Sequence, residues 1–380
     1  MLLYNALSLL SLSSFAFAES KSASAECTNL TVQVKVNAPS HPVLMPVLEN
    51  GYQAVAFLLA ATGRDAPVDP SGLLGPPVNI SKTFSISAQY CSPSSQSKKS
   101  SVVQILTHGL GFDKSYWSFG NATYNYVEAA TGAGYATLSY DRLGTGLSDK
   151  PDSYTIIQSP IELAVLVGLT ELLKSGDLHP SIPVPAKIAH VGHSYGSVLS
   201  NALAASRPDL SDGIVLTGFS HNSTYERWWE ISTGFNLARE NQPARFQGWS
   251  SGYMTWGNKY YNQYGFLKYP FFDPAVLEYS EAHKWPFTVG ELLTMALLPL
   301  ASPGFTKPVL LMAASSDLIF CGGDCYGIVD GPDSLSPSVF PNAKPFEAYI
   351  QPNSGHGMNL HYNASGWYGV VSAFLATNGL

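Results

Sequence analysis

The chain has 380 residues, of which 45% are hydrophobic and only 12% are charged. This composition is typical of a globular protein and excludes an intrinsically disordered one. The formal net charge is −7, and no Lys/Arg run is longer than Lys98-Lys99, so nucleic acid is not expected as a partner.

Residues 1–18 have the pattern of a secretory signal peptide. An apolar stretch runs from about residue 6 to residue 17, and Ala16-Phe17-Ala18 fits the small-x-small pattern of a cleavage site. The stretch is shorter than the roughly 20 residues that a membrane span needs, which favours a cleaved signal over an uncleaved anchor. We therefore predict a secreted protein without a stable membrane anchor.

Sequons and cysteines agree with export. Asparagines in sequons occur at five positions, namely Asn29, Asn79, Asn121, Asn222 and Asn363. The four cysteines are an even number, and an oxidising compartment favours two disulfides. We predict the pairs Cys27–Cys91 and Cys321–Cys325. A metal site at Cys321 and Cys325 is the alternative, disfavoured because no histidine pair lies nearby at zinc-finger spacing.

The chain contains short apolar or β-branched segments that predict strands. They are residues 31–36, 84–90, 102–107, 135–140, 187–191, 213–217, 309–313 and 346–350. Helical patterns lie between several of them, most clearly at residues 160–174 and 197–206. Strands that alternate with helices predict an α/β fold with a mostly parallel central sheet flanked by helices.

Two backbone N–H groups are predicted to stabilise negative charge near the third and fifth strands. The segment after the third strand reads His108-Gly109-Leu110-Gly111-Phe112. A glycine-rich turn exposes N–H groups. That of Leu110 is our candidate donor of a hydrogen bond to an oxyanion, the negatively charged oxygen that develops in acyl transfer. The second candidate is the N–H of Tyr195. His108 is interpreted as a structural residue of this loop.

A candidate nucleophile follows the fifth predicted strand. The segment reads Gly192-His193-Ser194-Tyr195-Gly196 and leads directly into a predicted helix. A G-x-S-x-G sequence between strand and helix is typical of a tight turn that exposes the serine hydroxyl. The glycines let strand and helix approach closely, and the helix N-terminus favours developing negative charge. Ser194 is therefore the predicted nucleophile.

The strand–helix alternation stops between the sixth and seventh predicted strands, at residues 219–302. This segment holds five of the seven tryptophans. Its position predicts a helical cap over the site, inserted into a core made of residues 19–218 and 303–380. The alternative is that its rings form only the insert's own hydrophobic core.

The base and the acid are predicted late in the chain. His356 follows the last strand in a loop with glycines on both sides, and it is the predicted base for Ser194; His361 is the alternative. Asp317 follows the seventh strand and is predicted to orient the imidazole. Asp324, between the two late cysteines, is the competing carboxylate.

Together these residues resemble the α/β-hydrolase superfamily, over roughly residue 84 to the C-terminus. The resemblance rests on His108-Gly109, the serine turn, Asp317 and His356, in the order Ser, Asp, His. Residues 141–149 are similar to the turn after the fourth strand in this family, where Asp141 and Arg142 are expected to brace the loops. The signal, sequons and cysteine pairs resemble secreted fungal members of the serine esterase or lipase type.

The resemblance implies hydrolysis of a carboxylester or lactone through an acyl-enzyme, with no cofactor and no metal. An acyltransferase or a lyase using the same three residues is the second hypothesis, and a non-catalytic binding protein of this fold is the third. The aromatic insert favours a moderately large, apolar or aromatic small-molecule substrate. No oligomeric state is predicted.

Overall fold

The structure, a computed structural model, describes residues 25–64, 70–94, 101–332 and 334–380. The predicted signal peptide at residues 1–18 lies outside the described residues. Within them, no helix is both long enough and apolar enough to cross a membrane.

Strands of two sheets run through the described residues. They are β1 (Glu26–Ser40), β2 (Val78–Ser92), β3 (Val102–Thr107), β4 (Ala136–Tyr140), β5 (Lys187–His193), β6 (Gly213–Thr217), β7 (Asn236–Leu237), β8 (Tyr253–Thr255), β9 (Phe287–Thr288), β10 (Val309–Ala314) and β11 (Phe346–Gln351). The large sheet has eight strands in the order β1-β2-β4-β3-β5-β6-β10-β11. The pairs formed among β4, β3, β5, β6, β10 and β11 are parallel, whereas β2 pairs antiparallel with both β1 and β4.

Helices flank the large sheet and also occur in the segment between β6 and β10. They are α1 (Gly51–Thr62), α2 (Tyr126–Gly132), α3 (Ser159–Ser175), α4 (Tyr195–Ser206), α5 (Glu226–Thr233), α6 (Ala238–Asn241), α7 (Pro243–Phe246), α8 (Lys259–Phe266), α9 (Pro274–His283), α10 (Val289–Thr294), α11 (Leu318–Cys321), α12 (Ser336–Val339) and α13 (Ala364–Thr377). Every residue of β3, β4, β6 and β10 is buried, as is expected of strands in a parallel sheet covered on both faces. The predicted α/β fold with a mostly parallel sheet is confirmed.

The antiparallel pair of strands β1 and β2 is longer than the sequence predicted. In β1, buried and exposed side chains alternate from Leu30 to Ser40, beyond the predicted 31–36. In the antiparallel register of β1 and β2, Cys27 lies opposite Cys91, and the two are bonded. The second disulfide joins Cys321 to Cys325. Because those sulfurs bond each other, the alternative of a metal site there is wrong.

The insert at residues 219–302 was predicted to be helical, but it also contains strands. It contains α5 to α10, but also the antiparallel sheet β7-β8-β9. These strands have two or three residues each, too few to show a period-two pattern in the sequence. Some aromatic rings do form a core of the insert: Phe235 lies 5.2 Å from Trp229 and 4.8 Å from Phe287, between ring centroids.

Both ends of the insert are attached to helix α4. The side chain of Asn201 on α4 donates hydrogen bonds to the carbonyl of Leu300 (2.7 Å) and the hydroxyl of Ser302 (3.1 Å). Its Oδ1 lies 2.7 Å from Nε2 of His221 at the other junction. One buried amide therefore fixes where the insert leaves and rejoins the core.

The predicted sequons differ in exposure. Asn29 on β1 and Asn79 on β2 are exposed, while Asn121 and Asn222 are half-buried. Asn363 is also half-buried, and its Nδ2 donates a hydrogen bond to the carbonyl of Pro352 (2.6 Å). Glycosylation stays a prediction, and Asn29 and Asn79 are its most accessible candidates.

Removing the Cys27–Cys91 disulfide should cost more stability than removing Cys321–Cys325. The pairs are separated by 64 and 4 residues, so the chain-entropy model gives losses of about 4 and about 2 kcal/mol. The two double Cys→Ser variants should be compared by denaturant unfolding. Equal losses, or a Cys91–Cys321 peptide in an unreduced digest, would contradict this prediction.

Candidate active site

The predicted nucleophile lies in a strained turn between β5 and α4. Ser194 has φ 54° and ψ −121°, a conformation that L-residues rarely adopt. A Cβ atom at Gly192 would collide with the backbone of Gly196, and one at Gly196 would collide with the carbonyl of Thr107. Only glycine therefore allows this close approach of strand and helix, which the G-x-S-x-G pattern predicted.

His356 and Asp317 form a fully buried pair. Nδ1 of His356 lies 2.7 Å from Oδ2 of Asp317. The other carboxylate oxygen accepts hydrogen bonds from the N–H groups of Ile319 (2.9 Å) and Phe320 (3.1 Å), so Asp317 also caps α11. This arrangement assigns the His356 proton to Nδ1 and leaves Nε2 as an acceptor. Nε2 is buried and has no hydrogen-bond partner among the described residues.

Close approaches of the backbone bring the pair and the serine turn together. A Cβ atom at Gly218, after β6, would lie 2.6 Å from the ring of His193 and 3.2 Å from the carbonyl oxygen of His356. The rings of His193 and His356 are 5.1 Å apart between centroids. Because His193 directly precedes Ser194, the predicted base lies beside the predicted nucleophile.

The competing residues have other surroundings. Asp324 is exposed, and its carboxylate accepts the N–H of Tyr326 (3.1 Å). His361 is buried: its Nε2 accepts the N–H groups of Gly355 and Lys268, each at 3.0 Å. Burial lowers the pKa of His361 to about 4, so the ring is neutral and shapes the His356 loop. The sequence offered only its nearness to His356 as a signal of that role.

Among the described residues, the two candidate oxyanion donors have unpaired backbone N–H groups. Within the described chain, neither the N–H of Leu110 nor that of Tyr195 donates a hydrogen bond. A Cβ atom at Gly109, beside Leu110, would lie 2.9 Å from Cβ of Ser194, so this loop reaches the nucleophile. His108 fixes the loop, with its Nδ1 2.9 Å from the Gly109 carbonyl. Burial, and then Arg142, lower the pKa of His108 well below its usual range, so it stays neutral.

Aromatic rings of the insert pack directly on these loops. A Cβ atom at Gly111 would overlap the ring of Trp256, and the backbone N–H of Trp285 donates a hydrogen bond to the Gly111 carbonyl (2.8 Å). The carbonyl of Phe266 accepts the N–H of Gly357 (2.8 Å), and its ring lies 5.5 Å from His356. The exposed fraction of Ser194 is only 9%. The insert thus contacts both the loop of the candidate donor and the loop of the candidate base.

The model of the alpha/beta hydrolase family matches residues 104–364. An esterase from Thermogutta terrifontis is similar in structure, with a TM-score of 0.53, 15% identity and coverage of 78% of this chain and 94% of that chain. A bromoperoxidase from Bacillus anthracis has a TM-score of 0.53, 17% identity and coverage of 78% and 96%. The alpha/beta hydrolase GrgF from Penicillium has a TM-score of 0.50, 15% identity and coverage of 78% and 94%.

At these identities the solved structures show the fold alone, and their names span different reactions. No curated protein sequence matches the chain.

The two carboxylates after β10 should differ sharply in their effect on activity. Asp317→Asn removes the acceptor that fixes the His356 tautomer and stabilises its protonated form, so kcat should fall by about 10⁴-fold. Asp324→Asn is the matched control, because that carboxylate is exposed on the same loop, and it should change kcat little. Steady-state ester hydrolysis measures both. Equal or reversed effects would place the acid inside the cysteine loop.

Proposed function

The chain belongs to the alpha/beta hydrolase family, and from this we propose that it is a secreted serine hydrolase that cleaves a carboxylester or lactone. The observation that carries the proposal is the buried pair of His356 and Asp317, whose imidazole keeps one nitrogen unpaired beside the strained Ser194 turn. An imidazole held in this way is placed to act as a general base, with Nε2 accepting the proton of the attacking hydroxyl.

In the first half of the reaction, the Ser194 hydroxyl attacks the substrate carbonyl carbon while its proton moves to Nε2 of His356. The carbonyl oxygen becomes an oxyanion and accepts the N–H groups of Leu110 and Tyr195. The N-terminus of α4 adds a favourable partial charge. When the carbonyl re-forms, the C–O bond to the alcohol breaks and the alcohol takes the proton from His356, leaving an acyl-enzyme.

Water completes the second half by the same route. His356 takes a proton from the water, whose oxygen attacks the acyl carbon of the Ser194 ester. Collapse of this intermediate returns the proton to the Ser194 oxygen and releases the acid. For a lactone the alcohol and the acid are two ends of one product. The Asp317 carboxylate keeps the imidazole oriented in both halves and offsets its positive charge.

Secretion is part of the proposal. It is supported by the signal-like pattern of residues 1–18, by the five sequons, and by the bonds Cys27–Cys91 and Cys321–Cys325.

The substrate class follows from the insert, which we propose to be a cap. Trp256, Phe266 and Phe112 form a cluster with centroid distances of 4.9 to 6.2 Å, and Phe266 reaches the His356 ring. These buried rings make the surroundings of the proposed base apolar. A moderately large, apolar or aromatic acyl or alcohol group is therefore favoured over a small polar one.

Replacing Ser194 by Ala should abolish turnover. Loss of the attacking oxygen is expected to lower kcat by about 10⁶-fold across a graded series of p-nitrophenyl esters. A fluorophosphonate probe should label the wild type and fail to label the variant. Ser206→Ala, at the exposed end of the same helix, is the control. A Ser194→Ala protein that keeps a tenth of the activity would refute the assignment, and faster transfer to an added alcohol than to water would favour an acyltransferase.

Trp256→Leu should change substrate preference. The smaller leucine side chain would leave space beside Gly111, where the Trp256 ring packs. We therefore expect kcat/KM for a bulky aryl ester, relative to kcat/KM for an acetyl ester, to rise by about tenfold. This ratio does not depend on how much of the protein is folded. Trp228→Leu is the control, because that ring is 52% exposed. If the ratio stays constant in Trp256→Leu while the Tm falls, the ring belongs only to the insert's core.

A further inference from the structure

Arg142 lies at the centre of a buried ion cluster that links core and insert. It directly follows Asp141 in the turn after β4, and its side chain is fully buried. One guanidinium nitrogen bonds to Glu162 on α3 (2.9 Å) and also to Glu291 on α10 of the insert. Both carboxylates are 2% exposed. We call Arg142, Glu162 and Glu291 the Arg142 cluster.

Arg142 also contacts Tyr195 and the Gly109–Leu110 peptide group, which contains the other candidate oxyanion donor. Its backbone N–H donates to Nε2 of His108 (3.1 Å), and its side chain donates to the Gly109 carbonyl (3.3 Å). The guanidinium carbon lies 4.6 Å from the ring centroid of Tyr195, within cation–π range. One side chain therefore reaches the residue next to Leu110 and the residue that follows Ser194.

From these contacts we propose that Arg142 is a positioning residue for the oxyanion site, and that Glu291 of the insert holds it in place together with Glu162 of the core. The inference rests on the proposed function and deepens it, because it makes the catalytic site incomplete without the insert. An oxyanion donor displaced by a fraction of an ångström loses much of its effect, so a rigid support has kinetic consequences.

Glu291 is itself held rigidly. Its second carboxylate oxygen accepts the N–H of Thr288 (2.7 Å), and its N–H donates to the Thr288 hydroxyl (3.1 Å), which completes the capping box of α10. The N–H of Gly290 donates to the Ser153 carbonyl (3.0 Å), and a Cβ atom at Gly290 would collide with the Ile157 carbonyl. The start of α10 is therefore seated on the core at a fixed position, from which Glu291 reaches Arg142.

The cluster has two carboxyl groups for one guanidinium. Burial raises the pKa of Glu162, Arg142 opposes this, and Glu291 raises it further, so the pKa stays well above its usual range. The Oε1 atom of Glu162 has no hydrogen-bond donor, which also favours a proton there. The other ionisable groups around it are the phenols Tyr140, Tyr195 and Tyr253, whose pKa values burial raises.

Because the pKa of Glu162 is raised, its ionisation at alkaline pH adds one negative charge to the cluster beside Tyr195. That charge opposes the negative charge that develops on the substrate oxygen, so kcat should decline as Glu162 ionises. A glutamine at position 162 cannot ionise, and a variant carrying it should lack the decline. A purely structural role for Glu162 would not give this pH signature.

The test compares Glu291→Gln, Glu162→Gln and Arg142→Lys with the wild type. Glu171→Gln is the matched control, since Glu171 lies on the same helix as Glu162 and also pairs with an arginine, Arg207, but on the surface. Fluorophosphonate titration counts the active sites, so that kcat is given per site. Binding of an aryl trifluoromethyl ketone, which forms an oxyanion on Ser194, reports on the donors directly.

Glu291→Gln and Arg142→Lys should lower kcat per titrated site by about 10- to 100-fold, with KM changed less than about twofold. A displaced oxyanion donor should lose part of the roughly 10²- to 10³-fold that removing a donor costs in kcat. Affinity for the ketone should fall by the same factor. Glu162→Gln should remove the alkaline decline, and Glu171→Gln should match the wild type in every measurement.

If the variants lose titratable sites or Tm but keep kcat per site and ketone affinity, the cluster is only structural and the inference is wrong. A wild-type protein that neither binds the probe nor hydrolyses esters would instead refute the proposed function. The two failures are therefore distinguishable in one set of measurements.

Discussion

Parallel pairing of β3, β4, β5, β6, β10 and β11 in the large sheet is the constraint on which the candidate site depends. Parallel strands end at the same edge of a sheet, so the segments that follow them gather there even when they are far apart in the chain. The segments after β3, β4, β5, β6, β10 and β11 carry Leu110, Arg142, Ser194, Gly218, Asp317 and His356. The strand–helix alternation is visible in the sequence, and it predicts that the candidate site lies at the carboxyl ends of the parallel strands.

Features fixed by local geometry could be predicted from the sequence, and features fixed by distant packing could not. The Ser194 turn requires glycines at two fixed offsets, so its pattern is visible in a five-residue window. The partners of Arg142 are different: Glu162 and Glu291 lie 20 and 149 residues away, and nothing in their local sequence indicates a shared buried site. The same limit explains why the strands of the insert were missed, because their pairing comes from tertiary contacts.

The insert and the core form a single structural unit around the candidate site. Glu291 bonds Arg142, Trp256 covers Gly111, and the N–H of Lys268 donates to His361 in the His356 loop. Breaking a buried ion pair leaves an unpaired buried charge, which lowers the free energy of unfolding by about 3–5 kcal/mol. An insert tied to both loops by such contacts cannot shift freely. Access to Ser194 is therefore coupled to the geometry of the groups that would act on the substrate.

The histidines around the site show why only one of them is suited to accept the serine proton. His193 lies 5.1 Å from His356, and its ring stacks on Tyr116 at 4.4 Å. Burial, and then the neighbouring His356, lower the pKa of His193 well below its usual range, and burial does the same for His108 and His361. None of these three has a carboxylate partner, whereas His356 has Asp317. In the proposed mechanism Asp317 stabilises the positive charge that forms on His356, and the neutral rings beside it add no repulsion.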